Sequence, residues 1–396
     1  MTRIARRVAA LVESATLAIT ERAKQMRAAG VDVVSFGAGE PDWDTPDHVK
    51  EAGIEAIRSG KTKYTASSGL LELREAIAAK LAKENGLTYA PAQVLVTTGA
   101  KQAIFNVILT LCEEGDEVLV PSPYWVSYPV MVTASGARAV TVETREEDGF
   151  RLRPEALTRA LTPRSRLLIL NSPNNPTGAV MRREDVEEIA RIVVANGLYV
   201  LSDEIYEKLL FGGARHHSVA QVSREAFERT VVVNGLSKSF AMTGWRMGYA
   251  AGPKEVIDAA GRLQAQSTSN PTSISQYAAL AALRGPQEFS SRMAKEYEQR
   301  RDYVCGRLKE MPGVTCVRPE GAFYVFPNVS KLYGRTLGGR TVASSSQLAE
   351  VLLEKAQVAV VPGEAFGSDA HIRLSYATSM ESLKKGLDRI DAFLRG

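Results

Sequence analysis

The stretch RLLILNSPNNPTGAVMRREDVEEIARIVVANGLYVLSD, residues 166–203, contains the structural unit from which the rest of the fold can be predicted. Two short apolar runs, Arg166–Asn171 and Leu198–Asp203, enclose a segment with helical periodicity. Within Glu184–Asn196 the apolar residues recur every three or four positions, and Gly197 is a typical helix stop. A strand, a helix and a second strand of these lengths indicate a parallel β-α-β unit.

The same alternation continues in both directions along the chain. Further short apolar runs are separated mostly by segments with helical periodicity: Gln93–Thr98, Glu117–Pro121 and Thr230–Asn234. Continuous apolar runs of this length are typical of strands that are buried on both faces. The middle of the chain therefore predicts an α/β fold with a mainly parallel sheet that is flanked by helices.

A change of pattern near Pro286 predicts a second domain. A long charged helix, Glu288–Glu310, is followed by short strands around Phe323–Phe326 and Val358–Val361. The length of 396 residues also exceeds what one hydrophobic core usually serves. We expect a large domain over residues 48–287, and an N-terminal arm and smaller α+β domain over residues 1–47 and 288–396. The Pro/Gly-rich stretch Gly37–Pro46 belongs with the small domain or crosses between the two.

Composition and charge exclude several classes of protein. The chain is 45% hydrophobic and 24% charged, which is ordinary globular usage and does not indicate disorder. Its 49 basic and 45 acidic residues leave a formal charge of +4 without a basic patch, so no nucleic acid partner is expected. No apolar run has the length of a signal sequence or membrane span. Three cysteines without metal-binding spacing fit a reducing, cytoplasmic environment.

Several motifs with possible chemistry fail on inspection. Gly37-Ala38-Gly39 begins a dinucleotide fingerprint, but Asp42 stands where the third glycine is needed. His216-His217 lacks the spacing of a metal site, and we interpret the pair as solvated loop residues; no metal is expected. A serine-hydrolase elbow, G-x-S-x-G, does not occur in the sequence.

Four polar motifs follow predicted strands at their carboxyl ends. They are Gly99-Ala100-Lys101, Asn171–Pro176, Asp203–Tyr206 and Ser237-Lys238. In open α/β sheets, ligands bind beyond the carboxyl ends of the strands. We therefore expect these four motifs to converge on one crevice.

The segment NGLSKSFAMTGWRMGY, Asn234–Tyr249, closely resembles the lysine signature of class I aminotransferases, which are pyridoxal-phosphate enzymes of fold type I. The resemblance covers essentially the whole chain, because eight blocks occur in the family's order. These blocks are Gly37–Pro46, Lys61–Ala76, Thr97–Asn106, Pro121–Pro129, Asn171–Gly178, Ser202–Leu210, Asn234–Pro253 and His371–Thr378. The resemblance implies a seven-stranded, mainly parallel sheet in the large domain and cis peptide bonds at Ser122-Pro123 and Asn175-Pro176.

The resemblance also implies a catalytic set around the cofactor. Lys238 would form a Schiff base with pyridoxal 5′-phosphate and, once displaced by substrate, would act as the general base. Asp203 would keep the pyridine nitrogen protonated, although an aspartate at a strand end can also cap a helix. Tyr206 and Asn175 would hydrogen-bond the ring's phenolic oxygen and lower the pKa of the imine.

The remaining cofactor contacts are implied in the same way. Arg246 offers a planar fork to the phosphate, and the backbone of Gly99, Ala100 and Lys101 offers amide donors at a helix start. Ser237 would be a further phosphate contact. Trp125 would stack on the ring, its alternative being a core aromatic. Tyr64 would reach the phosphate of a second subunit, so a homodimer is expected.

Substrate contacts complete the set. Arg373 would bind the α-carboxylate, Gly39 would lie over the substrate, and Trp125 and Asn175 would line its site. Lys101 resembles the lysine that bacterial aspartate aminotransferases use near the distal carboxylate, with the segment Ser14–Thr16; its alternatives are a phosphate-side or a solvated lysine.

The predicted reaction is transamination between an L-amino acid and a 2-oxo acid. L-aspartate and 2-oxoglutarate are the expected pair. Some bacterial aspartate aminotransferases also accept prephenate and carry a basic residue in the N-terminal segment where this chain has Val12, so we expect prephenate activity to be weak or absent. An aromatic, alanine or methionine aminotransferase remains an alternative, as does a non-transaminating fold-type I enzyme such as a decarboxylase. A third alternative is a non-catalytic, regulatory ligand-binding module built on this scaffold, which the presence of Lys238 disfavours.

Overall fold

A computed structural model describes residues 4–9, 11 and 15–396. Seven strands form the main sheet: β2 (Val94–Thr98), β3 (Glu117–Ser122), β4 (Arg138–Glu143), β5 (Ser165–Asn171), β6 (Tyr199–Asp203), β7 (Thr230–Gly235) and β8 (Met247–Ala251). Among the described residues, seven short strands lie outside this sheet: β1 (Val34–Ser35), β9 (Tyr324–Val325), β10 (Thr336–Leu337), β11 (Arg340–Thr341), β12 (Val358–Ala359), β13 (Val361–Pro362) and β14 (Ile372–Ser375).

Helices surround both groups of strands. They are α1 (Arg6–Ala9), α2 (Ala15–Ala28), α3 (Asp47–Arg58), α4 (Leu71–Asn85), α5 (Ala100–Leu111), α6 (Ser127–Ser135), α7 (Pro154–Ala160), α8 (Arg183–Ala195), α9 (Arg224–Phe227), α10 (Lys254–Ser267), α11 (Ser273–Arg284), α12 (Glu288–Glu310), α13 (Ser345–Val351) and α14 (Met380–Arg395). None of the described helices is long and apolar enough to cross a membrane.

The main sheet has the strand order β2-β8-β7-β6-β5-β3-β4. Strands β3 to β7 pair in parallel, whereas β8 runs antiparallel to both β2 and β7. The expectation of a mainly parallel, seven-stranded sheet is therefore confirmed. Two strands of the main sheet were not predicted. Edge strand β4 (RAVTVE) is mostly not buried and has charged residues at both ends, and β8 (MGYAA) is rich in small residues, so neither has the long apolar run by which the other strands were identified.

Helices pack on both faces of this sheet because alternate strand residues point to opposite sides. On one face Ile104 and Val107 of α5 contact a core that includes Leu167 of β5. On the other face Ile189 and Val193 of α8 join the core beside Leu168. The parallel strands end together at one edge, where the loops that follow them meet.

The N-terminal stretch joins the C-terminal part of the chain. Strand β1 pairs in parallel with β12, and β13, β14 and β9 form an antiparallel three-stranded sheet. Arg300 of α12, the predicted long helix, donates to both carboxylate oxygens of Asp42 at 2.8 and 2.9 Å. Both hydrogen bonds come from Nη1 of Arg300, and this ion pair holds the Gly37–Pro46 stretch against α12.

Candidate active site

One cavity of about 470 Å³ lies at the carboxyl edge of the main sheet. Asn171 ends β5, Asp203 ends β6 in register with it, and Lys238 follows β7. The cavity brings together eleven residues named from the sequence: Gly39, Ala100, Lys101, Trp125, Asn175, Asp203, Tyr206, Ser237, Lys238, Arg246 and Arg373. The four strand-end motifs therefore converge, as the topology of a parallel sheet requires.

Lys238 lies in the interior of this cavity. Its Nζ donates a hydrogen bond of 2.5 Å to the carbonyl oxygen of Gly39. Burial lowers the pKa of the Lys238 ammonium to about 8, despite the opposing charge of Glu40. A buried lysine with this pKa has a substantial neutral fraction near pH 8, and a neutral amine is the form that attacks a carbonyl carbon.

Asp203 is a buried carboxylate with a fixed orientation. The Tyr128 hydroxyl donates to its Oδ2 at 2.6 Å, and the Ile205 backbone donates to its Oδ1 at 3.3 Å. Burial raises the pKa of Asp203 to about 6, although the Tyr128 hydrogen bond opposes this shift. A carboxylate in such an environment is stabilised in its charged form by a cationic partner in the cavity.

Tyr206 and Asn175 are held by other buried groups. The Tyr206 hydroxyl lies 2.9 Å from the Tyr324 hydroxyl, and Asn175 Oδ1 accepts a 3.0 Å hydrogen bond from Arg373.

Three peptide bonds that precede prolines near the cavity are cis. Those at Ser122-Pro123 and Asn175-Pro176 confirm the prediction from the sequence, whereas the cis bond at Ser172-Pro173 was not predicted.

An anion cradle lies at the start of α5. Gly99 has φ +79°, and a Cβ on it would lie 2.5 Å from Nη2 of Arg246. The guanidinium thus lies directly against the backbone that opens the helix at Ala100. The Gly99 amide already donates to the Thr97 carbonyl oxygen at 2.8 Å. The amide groups in the first turn of α5, the helix dipole and the guanidinium suit a phosphate group.

Arg373 is a second, deeply buried cation. Its Nη2 donates to the carbonyl oxygen of Gly37 at 2.8 Å, and its guanidinium lies over the rings of Tyr324 and Phe366 at 4.5 and 5.0 Å. Burial lowers its pKa. Within the described residues, Arg373 Nε has no hydrogen-bond partner. A buried, incompletely satisfied guanidinium favours binding of a carboxylate.

Lys101 and Trp125 line another part of the cavity. Lys101 Nζ lies 4.9 Å from the Trp125 ring centre, and burial together with Arg246 lowers the pKa of Lys101. Trp125 packs edge-on against Tyr128. Val12 and Ser14, which were expected to bear on the substrate, lie outside the described residues. Tyr64 is 91% exposed and does not line the cavity.

Several residues of the cavity were not predicted from the sequence. Tyr128 lies in the same family block as Trp125, Pro121–Pro129, and this is a signal that could have identified it. Tyr324 and Glu40 also line the cavity, and so does Lys24 of α2. These residues come from segments far apart in the chain, so no local motif connects them to the strand-end motifs.

The interpretation of His216 as a solvated loop residue is wrong. Its side chain is only 8% exposed, and its Nε2 lies 2.9 Å from Glu204 Oε2. Burial opposes the charged imidazole, but the carboxylates of Glu204 and Glu207 together outweigh burial and raise the pKa of His216. Nearby Glu207 pairs with Lys80 and accepts from Asn85 at 2.6 Å. His216 thus belongs to a buried ionic network behind the Asp203–Tyr206 turn.

Comparison with known proteins agrees with this geometry. The family model for aminotransferases of class I and II matches residues 31–390. The chain belongs to this family, and it is therefore an enzyme that uses pyridoxal phosphate to transfer an amino group between an amino acid and a 2-oxo acid.

Bacterial aspartate aminotransferases are among its relatives. The chain is 50% identical over 392 residues to the aspartate aminotransferase of Geobacillus stearothermophilus, covering 99% of each chain. It is 48% identical to an aspartate/prephenate aminotransferase of Cereibacter sphaeroides, covering 97% of this chain and 96% of the relative. Among solved structures, the Thermus thermophilus aspartate aminotransferase with maleate is 49% identical, with a TM-score of 0.93 over 100% of both chains.

Proposed function

We propose that the chain catalyses transamination between L-aspartate and 2-oxoglutarate, giving oxaloacetate and L-glutamate. The observation that carries the proposal is that two cations for substrate carboxylates, Arg373 and Lys101, share one cavity with Lys238. A dicarboxylic substrate needs one cation at each end, and a monocarboxylic one does not. Relatives named aspartate aminotransferase, and the Thermus thermophilus enzyme with the dicarboxylate maleate, support this choice.

The described residues fit pyridoxal phosphate in this cavity. The cradle formed by Gly99, Ala100 and Arg246 fits the phosphate, with Ser237 beside it. Lys238 fits the aldehyde, because its lowered pKa makes the neutral amine available. When bound, the cofactor supplies a conjugated ring that takes up the electron pair left at the substrate Cα.

Each catalytic residue then has a defined task. Asp203, held by Tyr128, would pair with the pyridine nitrogen and keep it protonated. Tyr206 and Asn175 would donate to the phenolic oxygen, and Trp125 would pack on the ring. The Lys238 amine would serve as the base that takes the proton from the substrate Cα.

The substrate is oriented from both ends in this proposal. Arg373 binds the α-carboxylate, and Asn175, which accepts its hydrogen bond, holds the guanidinium in place. Gly39 lies over the substrate, and its carbonyl oxygen accepts a hydrogen bond from Lys238 Nζ. Lys101 binds the distal carboxylate, and the weak or absent prephenate activity indicated by Val12 stays a prediction.

A screen of amino donors against 2-oxoglutarate tests the proposal. Aspartate should give the highest kcat/KM, and borohydride should fix the cofactor on Lys238 and abolish activity. Higher kcat/KM for an aromatic, alanine or methionine donor would contradict the aspartate assignment. Release of carbon dioxide from the amino donor would identify a decarboxylase and overturn the transaminase mechanism.

We propose further that the enzyme is a cytoplasmic homodimer in which Tyr64 reaches the cofactor phosphate of the second subunit. Tyr64 is 91% exposed in the single chain, and Ile54, Ile57 and Leu71 nearby in sequence are also exposed. Apolar side chains exposed together favour burial in an interface. The proposed division into a large domain, residues 48–287, and a small domain, residues 1–47 and 288–396, puts Lys238 and Arg373 on different domains.

A further inference from the structure

We infer that Tyr324 is a positioning residue for this reaction, whose hydroxyl bond to Tyr206 connects the site of the cofactor's phenolic oxygen with the carboxylate site at Arg373. The inference rests on the proposed function, because it takes Tyr206 as the donor to the phenolic oxygen. It adds a residue that neither the motifs nor the strand ends identified.

Packing fixes the two tyrosines relative to each other. Tyr324 is completely buried on β9 and lines the cavity. Its hydroxyl lies 2.9 Å from that of Tyr206, and the two rings meet edge to face at 5.8 Å. Phe323 packs edge-on against the Tyr206 ring at 5.5 Å. The hydrogen bond is therefore part of a rigid aromatic cluster.

Proton counting gives this bond a direction. A tyrosine hydroxyl has one proton to donate and can accept through its lone pairs. If Tyr206 commits its proton to the phenolic oxygen, the bond between the two tyrosines must be donated by Tyr324. A hydroxyl that accepts a hydrogen bond becomes a better donor, so Tyr324 strengthens the contact that Tyr206 makes.

The ring of Tyr324 also contacts the substrate's carboxylate site. The Arg373 guanidinium lies over the Tyr324 ring at 4.5 Å, and β9 pairs with β14, the strand that carries Arg373. Burial raises the pKa of Tyr324, and the Arg373 charge acts against this shift. A carboxylate that binds Arg373 neutralises this charge and makes the Tyr324 hydroxyl a weaker donor.

The substitution Tyr324→Phe tests the inference through the visible absorption of the holoenzyme, titrated against pH. Removing the donor weakens stabilisation of the phenolic anion, so the apparent pKa of the Lys238 imine should rise by roughly 0.3–1 unit. Tyr376→Phe is a matched control. Tyr376 is also completely buried and its hydroxyl lies 3.5 Å from the Ala322 carbonyl, but it does not line the cavity, so no shift is expected.

A double-variant cycle separates this inference from the function on which it rests. Tyr206→Phe alone should raise the imine pKa. Tyr324→Phe should add little in that background, because the Tyr206 hydroxyl that connects Tyr324 with the phenolic oxygen is absent. An equal shift in both backgrounds, or no shift, overturns the inference. If Tyr206→Phe changes nothing, the proposed role of Tyr206 fails as well. Thermal unfolding of each apoenzyme shows whether a variant has folded.

Maleate tests the connection to Arg373, since it is a dicarboxylate without an amino group. It should raise the imine pKa of the unsubstituted enzyme more than that of Tyr324→Phe. Equal maleate effects in the two proteins would show that the carboxylate site acts on the cofactor without Tyr324, and would overturn this half of the inference.

Discussion

Two lysines line the same cavity in different surroundings. Lys238 donates to the Gly39 carbonyl in the interior, whereas Lys101 lies beside the Trp125 ring. Loss of hydration lowers the pKa of both ammonium groups, although Lys101 is exposed in the single chain and Lys238 is half-buried. The proposed roles differ because a nucleophile must lose its proton, whereas a carboxylate-binding group must keep it. Each role leads to a separate measurement.

Lys101→Ala should lower kcat/KM for aspartate by about 10- to 150-fold, since a hydrogen bond to a charged group contributes roughly 1.5–3 kcal/mol. Leucine and phenylalanine, which lack a distal carboxylate, should be affected much less. Lys101→Met keeps an apolar stem beside Trp125 and should show the same selective loss. Equal losses for acidic and apolar donors would mean that Lys101 serves the cofactor or the fold.

Capture of the cofactor by apoenzyme should depend on pH with a midpoint of about 8. The pKa of Lys238 is lowered from the ordinary lysine value of 10.5, so the neutral amine prevails above pH 8 and is lost as pH falls below it. The rate of absorbance change after mixing with pyridoxal phosphate should rise about tenfold per pH unit below the midpoint and then level off. A midpoint near 10 would contradict a buried amine.

At the scale of elements, the close approach of β8 to the start of α5 shapes the anion cradle. A Cβ on Gly248 of β8 would lie 2.2 Å from the Ala100 backbone nitrogen, which neither backbone can accommodate without moving. Gly248→Ala should therefore lower the free energy of unfolding by about 1–3 kcal/mol and weaken cofactor binding.

Gly306→Ala is the control for that substitution. Gly306 lies exposed within α12, and a Cβ there would meet nothing within 4 Å. Replacing a helical glycine by alanine should raise the free energy of unfolding by about 0.5–1 kcal/mol. Urea unfolding of the two apoproteins measures both effects, and changes of the same sign would show that close packing at Gly248 is unimportant.

Elements with strong local signals were predictable from the sequence. Strands β5 and β6 are continuous apolar runs, and α12 has the predicted bounds, Glu288–Glu310. Strand β8 was missed because its Gly and Ala residues fit the α5 backbone and carry no strand preference of their own. Its small residues are explained only by a neighbour that is distant in sequence.

The same reasoning applies to the site. Lys238, Asp203 and Asn175 follow strands, so topology alone was sufficient to bring them together. The environment of His216 was not predictable, because its burial depends on Glu204 and on the network with Lys80. Tyr324 was missed for a similar reason, since its partners Tyr206 and Arg373 belong to other elements.

At the scale of the whole molecule, the proposed dimer predicts that activity depends on association. Tyr64→Phe should raise the dissociation constant of pyridoxal phosphate about tenfold, which corresponds to one hydrogen bond to a charged group. Tyr303→Phe, on α12, removes a hydroxyl that bonds only Arg307 among the described residues and should have no such effect. Sedimentation and activity should be measured over the same dilution series. A monomer with full activity would contradict the proposal.

The pairing of β1 with β12 affects how the enzyme is made. Residues 34 and 358 are partners in a parallel ladder, and Arg373 donates to the carbonyl oxygen of Gly37 across 336 positions. A ribosome releases the N-terminal residues long before their partners are synthesised. Val34 and Gly37 can therefore make these contacts only after almost the entire polypeptide has been translated. A nascent chain interrupted before residue 358 lacks both partners, so incomplete products of translation carry no finished substrate site.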